Sequence, residues 1–402
     1  MTEKDTRSFE TIVAEAGSIK DGANPVAQAL YLSACYRHPD LDQAVNFDRL
    51  QGFTYSRVET PNRKTVEETL AKLEEGYQGF AVASGMAAVQ LVLSVLKTGD
   101  EVVSLDDLYG GDFRYFRHLE DHFQIKFKLW NGESLENLLG LLTPKTKLVW
   151  LETPSNPMMK SVDIQAVADA VHDYNPDILV AVDNTFYTPY YQKPLTQGAD
   201  VVIHSATKYL GGHNDILGGI VVVKDPVLAD FYFQYTITVG DTMSAFDSWL
   251  LTRSLKTLTL RMQQHTANAK KIVSFLEQAP HVEKVLYPGK AGMISFYLDS
   301  DEEVDRVLRS VKLITFAESL GGAESLLTIP YYQTHDDVAE DQRLRLGITP
   351  RLLRLSVDLE NADDLIADLA GSLIFSLGSY WRLKQDPAWL ETFFFKKYNP
   401  DD

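Results

Sequence analysis

Short apolar runs alternate with helix-like stretches over residues 58–255 of the chain. The runs are rich in β-branched residues, and Gly, Pro, Asn and Asp bound both the runs and the helical patterns between them. Continuous apolar strands that alternate with helices are typical of a mostly parallel sheet covered by helices, so an α/β domain is predicted here. The runs are 81–83, 101–105, 147–151, 178–182, 201–203 and 219–223, and the helical patterns include 87–97 and 164–172.

The pattern changes after residue 255, and the segment 256–402 is predicted to form a smaller α+β domain with an extended tail rich in aromatic residues. One long helix is predicted across this boundary, over 248–276. The first 57 residues show weak periodicity, so we expect them to form an arm that contacts a neighbouring subunit. The other predicted elements are strands near 285, at 293–298 and at 352–357, and helices over 302–311 and 362–374.

Composition narrows the possible partners. The 402-residue chain carries 38 basic and 56 acidic side chains, and its net charge of −18 argues against general binding to nucleic acid or to anionic membranes. A single cysteine, Cys35, excludes an internal disulfide and a multi-thiolate metal site. The amino end has no apolar signal core, and the longest aliphatic stretch carries charged residues that oppose membrane insertion. We therefore expect a cytoplasmic protein with no bound metal.

Polar groups follow several of the predicted strands, at the sheet edge where parallel α/β sheets bind ligands. Ser205, Thr207 and Lys208 follow one strand, so two hydroxyls could hold a phosphate while an amine reaches the other end of the ligand. Asp183 follows the strand before it in the sequence. A buried carboxylate there needs a cationic partner, and a protonated pyridine nitrogen would serve.

Two further turns complete the set. The turn at Gly85 and Met86 opens a helix, where free backbone amides and the helix dipole favour a phosphate. Tyr109 precedes a Gly-Gly pair and could lie flat on an aromatic ring. Each feature alone has an ordinary structural explanation, such as a capping hydroxyl, a surface lysine or a core tyrosine. Together they match pyridoxal phosphate (PLP), with a Schiff-base lysine, a pyridinium partner, a phosphate cradle and a ring stack.

Nine segments carry motifs that occur together in one protein family. They are Tyr55-Ser-Arg57, Ser84-Gly-Met-Ala-Ala, Tyr109-Gly-Gly, Glu152-Thr-Pro-Ser-Asn156-Pro, Asp183-Asn-Thr, Ser205-Ala-Thr-Lys208-Tyr, Gly211-Gly-His, Glu318-Ser-Leu-Gly-Gly and Leu353-Arg354-Leu-Ser-Val. In these motifs the chain resembles the Cys/Met-metabolism family of PLP enzymes, and it is most similar to the cystathionine γ-lyase and γ-synthase branches. The resemblance implies PLP fold type I, which is an α/β fold with a smaller C-terminal domain.

The resemblance also implies a role for each site residue. Lys208 would bind the cofactor covalently and act as the catalytic base, Asp183 would pair with the ring nitrogen, and Tyr109 would stack on the ring. Tyr55 and Arg57 would reach the cofactor phosphate of a neighbouring subunit, so two subunits of a homo-oligomer, expected to be a tetramer, would share each site. Tyr55 and Tyr109 are expected to join Lys208 as catalytic residues. The other implied cofactor contacts are Ser205, Thr207, Gly85, Met86, Asn156 and Thr185.

Substrate binding is implied for Arg354, which would grip the α-carboxylate in a bidentate way, and for Ser319, Glu318, Asn156 and Arg114. In having a carboxylate at the position of Glu318, the chain resembles γ-lyases and γ-synthases. We therefore expect a carbon–sulfur lyase that acts on a sulfur amino acid and splits L-cystathionine by γ-elimination into cysteine, 2-oxobutanoate and ammonia. The alternative is γ-replacement by a cystathionine γ-synthase or an O-acylhomoserine sulfhydrylase. A cystathionine β-lyase and a catalytically silent PLP-binding protein rank below these.

Overall fold

A seven-stranded, mostly parallel sheet organises residues 78–223 of the structure, a computed structural model that describes residues 6–17, 24–41 and 52–373. Its strands are β1 (Gln78–Val82), β2 (Glu101–Leu105), β3 (Lys126–Trp130), β4 (Thr146–Glu152), β5 (Leu179–Asp183), β6 (Val201–Ser205) and β7 (Gly219–Val223). Their order across the sheet is β1-β7-β6-β5-β4-β2-β3. Strand β7 runs antiparallel to β1 and β6, and the other pairs are parallel.

Both faces of this sheet are buried, which explains its continuous apolar strands. In β7, Val221 and Val223 belong to one apolar cluster, whereas Ile220 and Val222 belong to the cluster on the opposite face. The helices of this part are α1 (Phe9–Ala14), α2 (Pro61–Leu73), α3 (Gly85–Leu93), α4 (Gly110–Phe123), α5 (Leu135–Leu141), α6 (Ile164–Tyr174), α7 (Thr188–Tyr191), α8 (Pro226–Val239), α9 (Ala245–Leu255) and α10 (Leu258–Leu276), with a 3₁₀ helix at Pro194–Gln197.

A second, five-stranded sheet follows in the C-terminal part. Its strands are β8 (Val282–Leu286), β9 (Met293–Leu298), β10 (Thr315–Phe316), β11 (Leu326–Thr328) and β12 (Leu352–Ser356), in the order β10-β11-β12-β9-β8. Three helices accompany them: α11 (Asp301–Ser310), α12 (Glu340–Leu346) and α13 (Ala362–Leu373). Mostly antiparallel pairing with helices beside it is an α+β arrangement. The predicted fold class is therefore confirmed.

Several details differ from the sequence-based expectation. The helix predicted over 87–97 ends at Leu93, and the short strands β10 and β11 were not predicted. The single long helix predicted over 248–276 is wrong, because Lys256 and Thr257 separate α9 from α10. The guanidinium of Arg261 donates a 3.0 Å hydrogen bond to the Ser254 carbonyl oxygen, so a carbonyl group at the C-terminal end of α9 has a partner at this break. Strand β3 was not predicted, since its alternating Lys-Phe-Lys-Leu-Trp sequence forms a partly exposed edge strand. The aromatic tail and residue 374 lie outside the described residues.

The amino-terminal segment is partly described. Helix α1 buries Ile12 and Val13 in the same apolar cluster as residues of α2 and α9. The division into residues 1–57, 58–255 and 256–402 stays a prediction. No helix among the described residues is long and apolar enough to cross a lipid bilayer.

The close packing of β7 against the turn before α3 gives a test of the fold. A methyl group on Gly219 would overlap the carbonyl carbon and oxygen of Ser84, which are backbone atoms with little freedom to move. We expect Gly219→Ala to lower the free energy of unfolding by about 1–3 kcal/mol, measured by urea denaturation.

Gly140→Ala is the matched control, because nothing lies within 4 Å of the added methyl group and the residue is within helix α5. This variant should gain roughly 0.5–1 kcal/mol from helix propensity. Equal stability of the two variants would contradict the packing that we describe.

Candidate active site

A cavity at the carboxyl ends of β4, β5 and β6 gathers most of the predicted site residues. Parallel strands end at the same edge of a sheet, so the turns that follow them converge there. Segments that precede and include β12 close the cavity from the second sheet. The predicted residues that line it are Gly85, Met86, Tyr109, Asn156, Asp183, Thr185, Ser205, Thr207, Lys208, Glu318, Ser319 and Arg354.

The amine of Lys208 lies in the middle of this cavity wall. Its Nζ donates a hydrogen bond of 2.8 Å to Ser319 Oγ. Burial and the positive charge of Arg354 together lower the pKa of Lys208 to about 8, although the charge of Glu318 acts in the opposite direction. Lys208 therefore loses its proton more easily than an exposed lysine, as a nucleophile or a general base requires.

Asp183 ends β5 and is held in place by its neighbour. Its Oδ1 accepts a 2.9 Å bond from the Thr185 amide, and Thr185 Oγ1 accepts a 2.8 Å bond from the Ser205 amide. Burial raises the pKa of the Asp183 carboxyl, although the bonds from Thr185 favour the charged form. A cation beside Asp183 would favour the charged carboxylate, because opposite charges stabilise each other most where water is excluded.

Two further carboxyl groups line the cavity and were not predicted as site residues. Glu152, at the end of β4, accepts a 2.9 Å bond from the Tyr109 amide, and Asp112 lies in the first turn of α4. Burial and the charge of Asp183 raise the pKa of both groups well above their usual values. Asp112 Oδ2 has no hydrogen-bond partner among the described residues. Both residues lie within or beside quoted motifs, which was the available signal.

The opposite end of the cavity suits an anion. Gly85 and Met86 begin α3, where the first amides of a helix have no intrahelical partner, and Ser84 Oγ accepts a 3.0 Å bond from the Ala87 amide. A Cβ atom on Gly85 would lie 3.0 Å from both Cβ and Oγ of Ser205, so glycine permits the close approach of these two turns. Thr207 Oγ1 lies nearby and accepts a 3.2 Å bond from the Gly218 amide.

Arg354 enters the cavity from β12 with its side chain already oriented. Its Nη1 donates 2.8 Å to Asn156 Oδ1, and its Nη2 donates 3.3 Å to the Ser319 carbonyl oxygen. Burial lowers the pKa of Arg354 to about 10, which leaves the guanidinium charged at neutral pH. This buried, charged guanidinium has no ion pair with a carboxylate among the described residues, so it is well suited to bind a carboxylate ligand.

Three predicted site residues do not line the cavity. The Arg57 guanidinium donates a hydrogen bond to the Ile237 carbonyl oxygen and lies 5.7 Å from the ring centre of Tyr55. Tyr55 is exposed and forms a β-bridge with Cys35. Arg114 forms an exposed ion pair with Asp337 instead. The geometry of a single chain therefore does not bring these residues to Lys208.

The residues present fit PLP. The cavity offers an amine of lowered pKa, the first amides of a helix beside hydroxyl groups, and an aromatic ring at Tyr109. It also offers the Asp183 carboxyl group, which has no ion-pair partner in the part of the chain that the structure describes. Lys208 would hold the aldehyde carbon, Asp183 the ring nitrogen, and the α3 turn with Ser205 and Thr207 the phosphate.

Comparison with known proteins identifies the class. A family profile described as Cys/Met metabolism PLP-dependent enzyme matches residues 10–374, so the chain belongs to this family and uses PLP. The predicted family, fold and cofactor are thereby confirmed, whereas the roles of individual residues stay predictions.

Individual relatives carry more specific names. The chain is 46% identical over 369 residues to the cystathionine gamma-synthase/O-acetylhomoserine (thiol)-lyase of Bacillus subtilis. The matched region covers 92% of this chain and 97% of that protein. It is 40% identical over 373 residues to the cystathionine gamma-lyase of the same organism, with 89% and 96% covered. The crystal structure of cystathionine gamma-lyase from Lactobacillus plantarum complexed with L-serine has a TM-score of 0.86 at 38% identity, with 91% and 99% covered.

The lowered pKa of Lys208 predicts how the cofactor-free protein recombines with PLP. Only the uncharged amine attacks an aldehyde, so the recombination rate should rise with pH and level off above about 8. An unperturbed lysine would keep gaining rate up to about pH 10.4. Stopped-flow absorbance would follow the reaction.

Glu318→Gln is the matched variant for this titration. Because Glu318 favours the charged form of Lys208, its removal should shift the midpoint to lower pH. A rate that still increases at about pH 10 in the parent protein would contradict the described environment of Lys208.

Proposed function

We propose that this chain splits L-cystathionine by γ-elimination and releases cysteine, 2-oxobutanoate and ammonia, with one water consumed. The observation that carries the proposal is that Glu318 lines the same cavity as Lys208 and Arg354. A carboxylate there can meet a distal amino group, and the substrate has such a group beyond its sulfur atom. Relatives named for γ-lyase and for γ-synthase activity support chemistry at the γ carbon.

Arg354, Asn156 and Lys208 would each have a separate role in this reaction. Arg354 and Asn156 would bind the α-carboxylate, which fixes the Cα–H bond relative to Lys208. Lys208 would accept the Cα proton on Nζ, and its contact with Ser319 Oγ keeps the amine at the cavity wall. PLP, when bound, supplies the electron sink for the pair left at Cα. Once Nζ has given up the first proton, it would accept a second one from Cβ, and the γ substituent would then leave as a thiolate that takes up a proton.

Asp183 and Tyr109 would support this reaction from two sides of the cofactor ring. Asp183 would hold a proton on the ring nitrogen through a buried ion pair, which keeps the ring an electron sink. Tyr109 would cover the ring and exclude water from its face. The backbone of Tyr109 is fixed by its bond to Glu152, so the ring has a defined starting position.

γ-Replacement is the second candidate. The Bacillus subtilis relative at 46% identity is named as a cystathionine gamma-synthase/O-acetylhomoserine (thiol)-lyase, which favours this reading. The same residues would serve both reactions up to departure of the γ group. The reactions then differ in whether a thiol adds in its place, so they require different substrates rather than a different site.

We also propose that the working unit is a homo-oligomer with shared sites, and we expect a tetramer. Arg57 and Tyr55 do not line the cavity of their own chain, and the exposure of Tyr55 leaves it available to a neighbouring subunit. A cationic side chain supplied by the partner would add to the phosphate site at the α3 turn. Localisation in the cytoplasm remains an expectation that agrees with the single cysteine.

Assays with separate substrates distinguish the two reactions. We expect L-cystathionine alone to yield 2-oxobutanoate and a free thiol in a coupled assay. Glu318→Gln should lower kcat/KM for this substrate by about 10- to 100-fold, because a hydrogen bond to a charged group is lost. Product formed only from an O-acylhomoserine together with cysteine would favour γ-replacement and reject γ-elimination.

Mixing inactive variants tests the shared site. Lys208→Ala and Arg57→Ala should each be poorly active, but a hybrid dimer of the two contains one intact site. Random mixing makes about half of the dimers hybrid, so we expect roughly a quarter of the parental activity.

Lys208→Ala mixed with Asp183→Ala is the matched control. Both residues line the cavity of one chain, so each hybrid site would lack one of them and no activity should return. Equal recovery in the two mixtures, or none in the first, would count against the role of Arg57 across the subunit boundary.

A further inference from the structure

His335 lies behind the cavity wall, between two turns that carry site residues. It belongs to the segment between β11 and α12, and only 1% of its surface is exposed. Its Nε2 lies 3.0 Å from the Leu108 carbonyl oxygen and 3.1 Å from the Asn156 carbonyl oxygen. A carbonyl oxygen can only accept a hydrogen bond, so Nε2 carries the proton and donates to both turns.

The second ring nitrogen fixes the orientation of the imidazole. His335 Nδ1 lies 2.8 Å from Thr334 Oγ1, and in the neutral ring it accepts a hydrogen bond from that hydroxyl. Burial lowers the pKa of His335 to about 4, and the charge of Arg354 acts in the same direction. The ring is therefore neutral near pH 7 and makes three hydrogen bonds in one orientation.

The two acceptors of His335 are attached directly to the site. Leu108 precedes Tyr109, which lines the cavity, and Asn156 is itself a lining residue. The side chain of Asn156 in turn accepts the 2.8 Å bond from Arg354 Nη1. His335 is thus linked to the guanidinium by two hydrogen bonds, one to the backbone of Asn156 and one to its side chain.

The turn after Tyr109 and the segment that carries His335 are closely packed. A methyl group on Gly110 would overlap the Thr334 carbonyl oxygen, so the turn after Tyr109 lies directly against the segment that carries His335. Asp337, two residues further on, pairs with Arg114 of α4 at the surface. His335 therefore acts within a packed junction and not on a freely moving loop.

We propose that His335 is a positioning residue that holds Asn156, and through it Arg354, in the geometry that binds the α-carboxylate of the substrate. The inference rests on the part of the proposed function that assigns the carboxylate to Arg354. It does not depend on whether the γ substituent is eliminated or replaced.

The test measures binding of L-alanine to the PLP-loaded protein, followed by the change in cofactor absorbance. L-Alanine has an α-carboxylate and no γ substituent, so its affinity reports on Arg354 without γ-elimination or γ-replacement. His335→Leu leaves two carbonyl groups unpaired and should weaken binding by at least about tenfold. With the sulfur substrate, KM should rise by a larger factor than kcat falls.

His335→Gln is the rescue variant, because its side-chain amide can place an N–H group near the position of Nε2. Its affinity should stay within about threefold of the parent value. His172→Leu is the control for loss of an imidazole, since His172 lies on α6, pairs with Asp200 and does not line the cavity. Its affinity should be that of the parent protein.

Parental affinity in a folded His335→Leu variant would overturn the proposal, and so would equal losses in His335→Leu and His335→Gln. If His335→Leu does not fold, His335→Asn takes its place, because its shorter side chain can still accept from Thr334 but cannot reach both carbonyl oxygens. Equal affinities of His335→Asn and His335→Gln would then reject the proposal. A parent protein that binds L-alanine but splits no cystathionine would refute only γ-elimination.

Discussion

The carboxyl group of Asp183 lies in the cavity with two buried carboxyl groups, Glu152 and Asp112, and its charge raises the pKa of both. The cationic side chains among the described lining residues are Lys208 and Arg354. Burial disfavours the charged form of Asp183, the bonds from Thr185 favour it, and a cationic ligand would favour it further. The ring nitrogen of PLP would be such a ligand. The lowered pKa of Lys208 follows from the same exclusion of water.

The sheet determines where these groups meet. Asp183 and Ser205 are the last residues of adjacent parallel strands, and Glu152 ends the strand on the other side of Asp183. Hydrogen bonds such as that from the Ser205 amide to Thr185 then fix the turns relative to each other. The second sheet contributes Arg354 from a buried strand, which gives the carboxylate anchor a rigid support. Chemistry and fold are therefore linked through the ends of strands.

Sequence reasoning was most successful where burial and chemistry left few choices. Apolar runs on both faces predicted the central strands, and the polar residues directly after them predicted Lys208, Asp183, Ser205 and Thr207 as lining residues. It failed for β3, because an edge strand with alternating polarity lacks a continuous apolar run. His335 could not be found in this way, since its role depends on carbonyl groups that are more than 170 residues away in the chain. The predicted roles of Arg57 and Tyr55 stay predictions, because neither residue lines the cavity of its own chain and a cofactor contact would require a second subunit.

The contacts of Arg354 and Lys208 also link ligand occupancy to the cohesion of the molecule. Lys208 donates a hydrogen bond to Ser319, and Arg354 donates one to Asn156, so each bond joins the region of the first sheet to that of the second. A bound amino acid that contacts both Lys208 and Arg354 would add further contacts between the two sheet regions. Such a ligand binds only the assembled form, and at a hundred times its dissociation constant it would stabilise that form by about 2.7 kcal/mol. Resistance to heat and to proteases would then rise and fall with the supply of substrate.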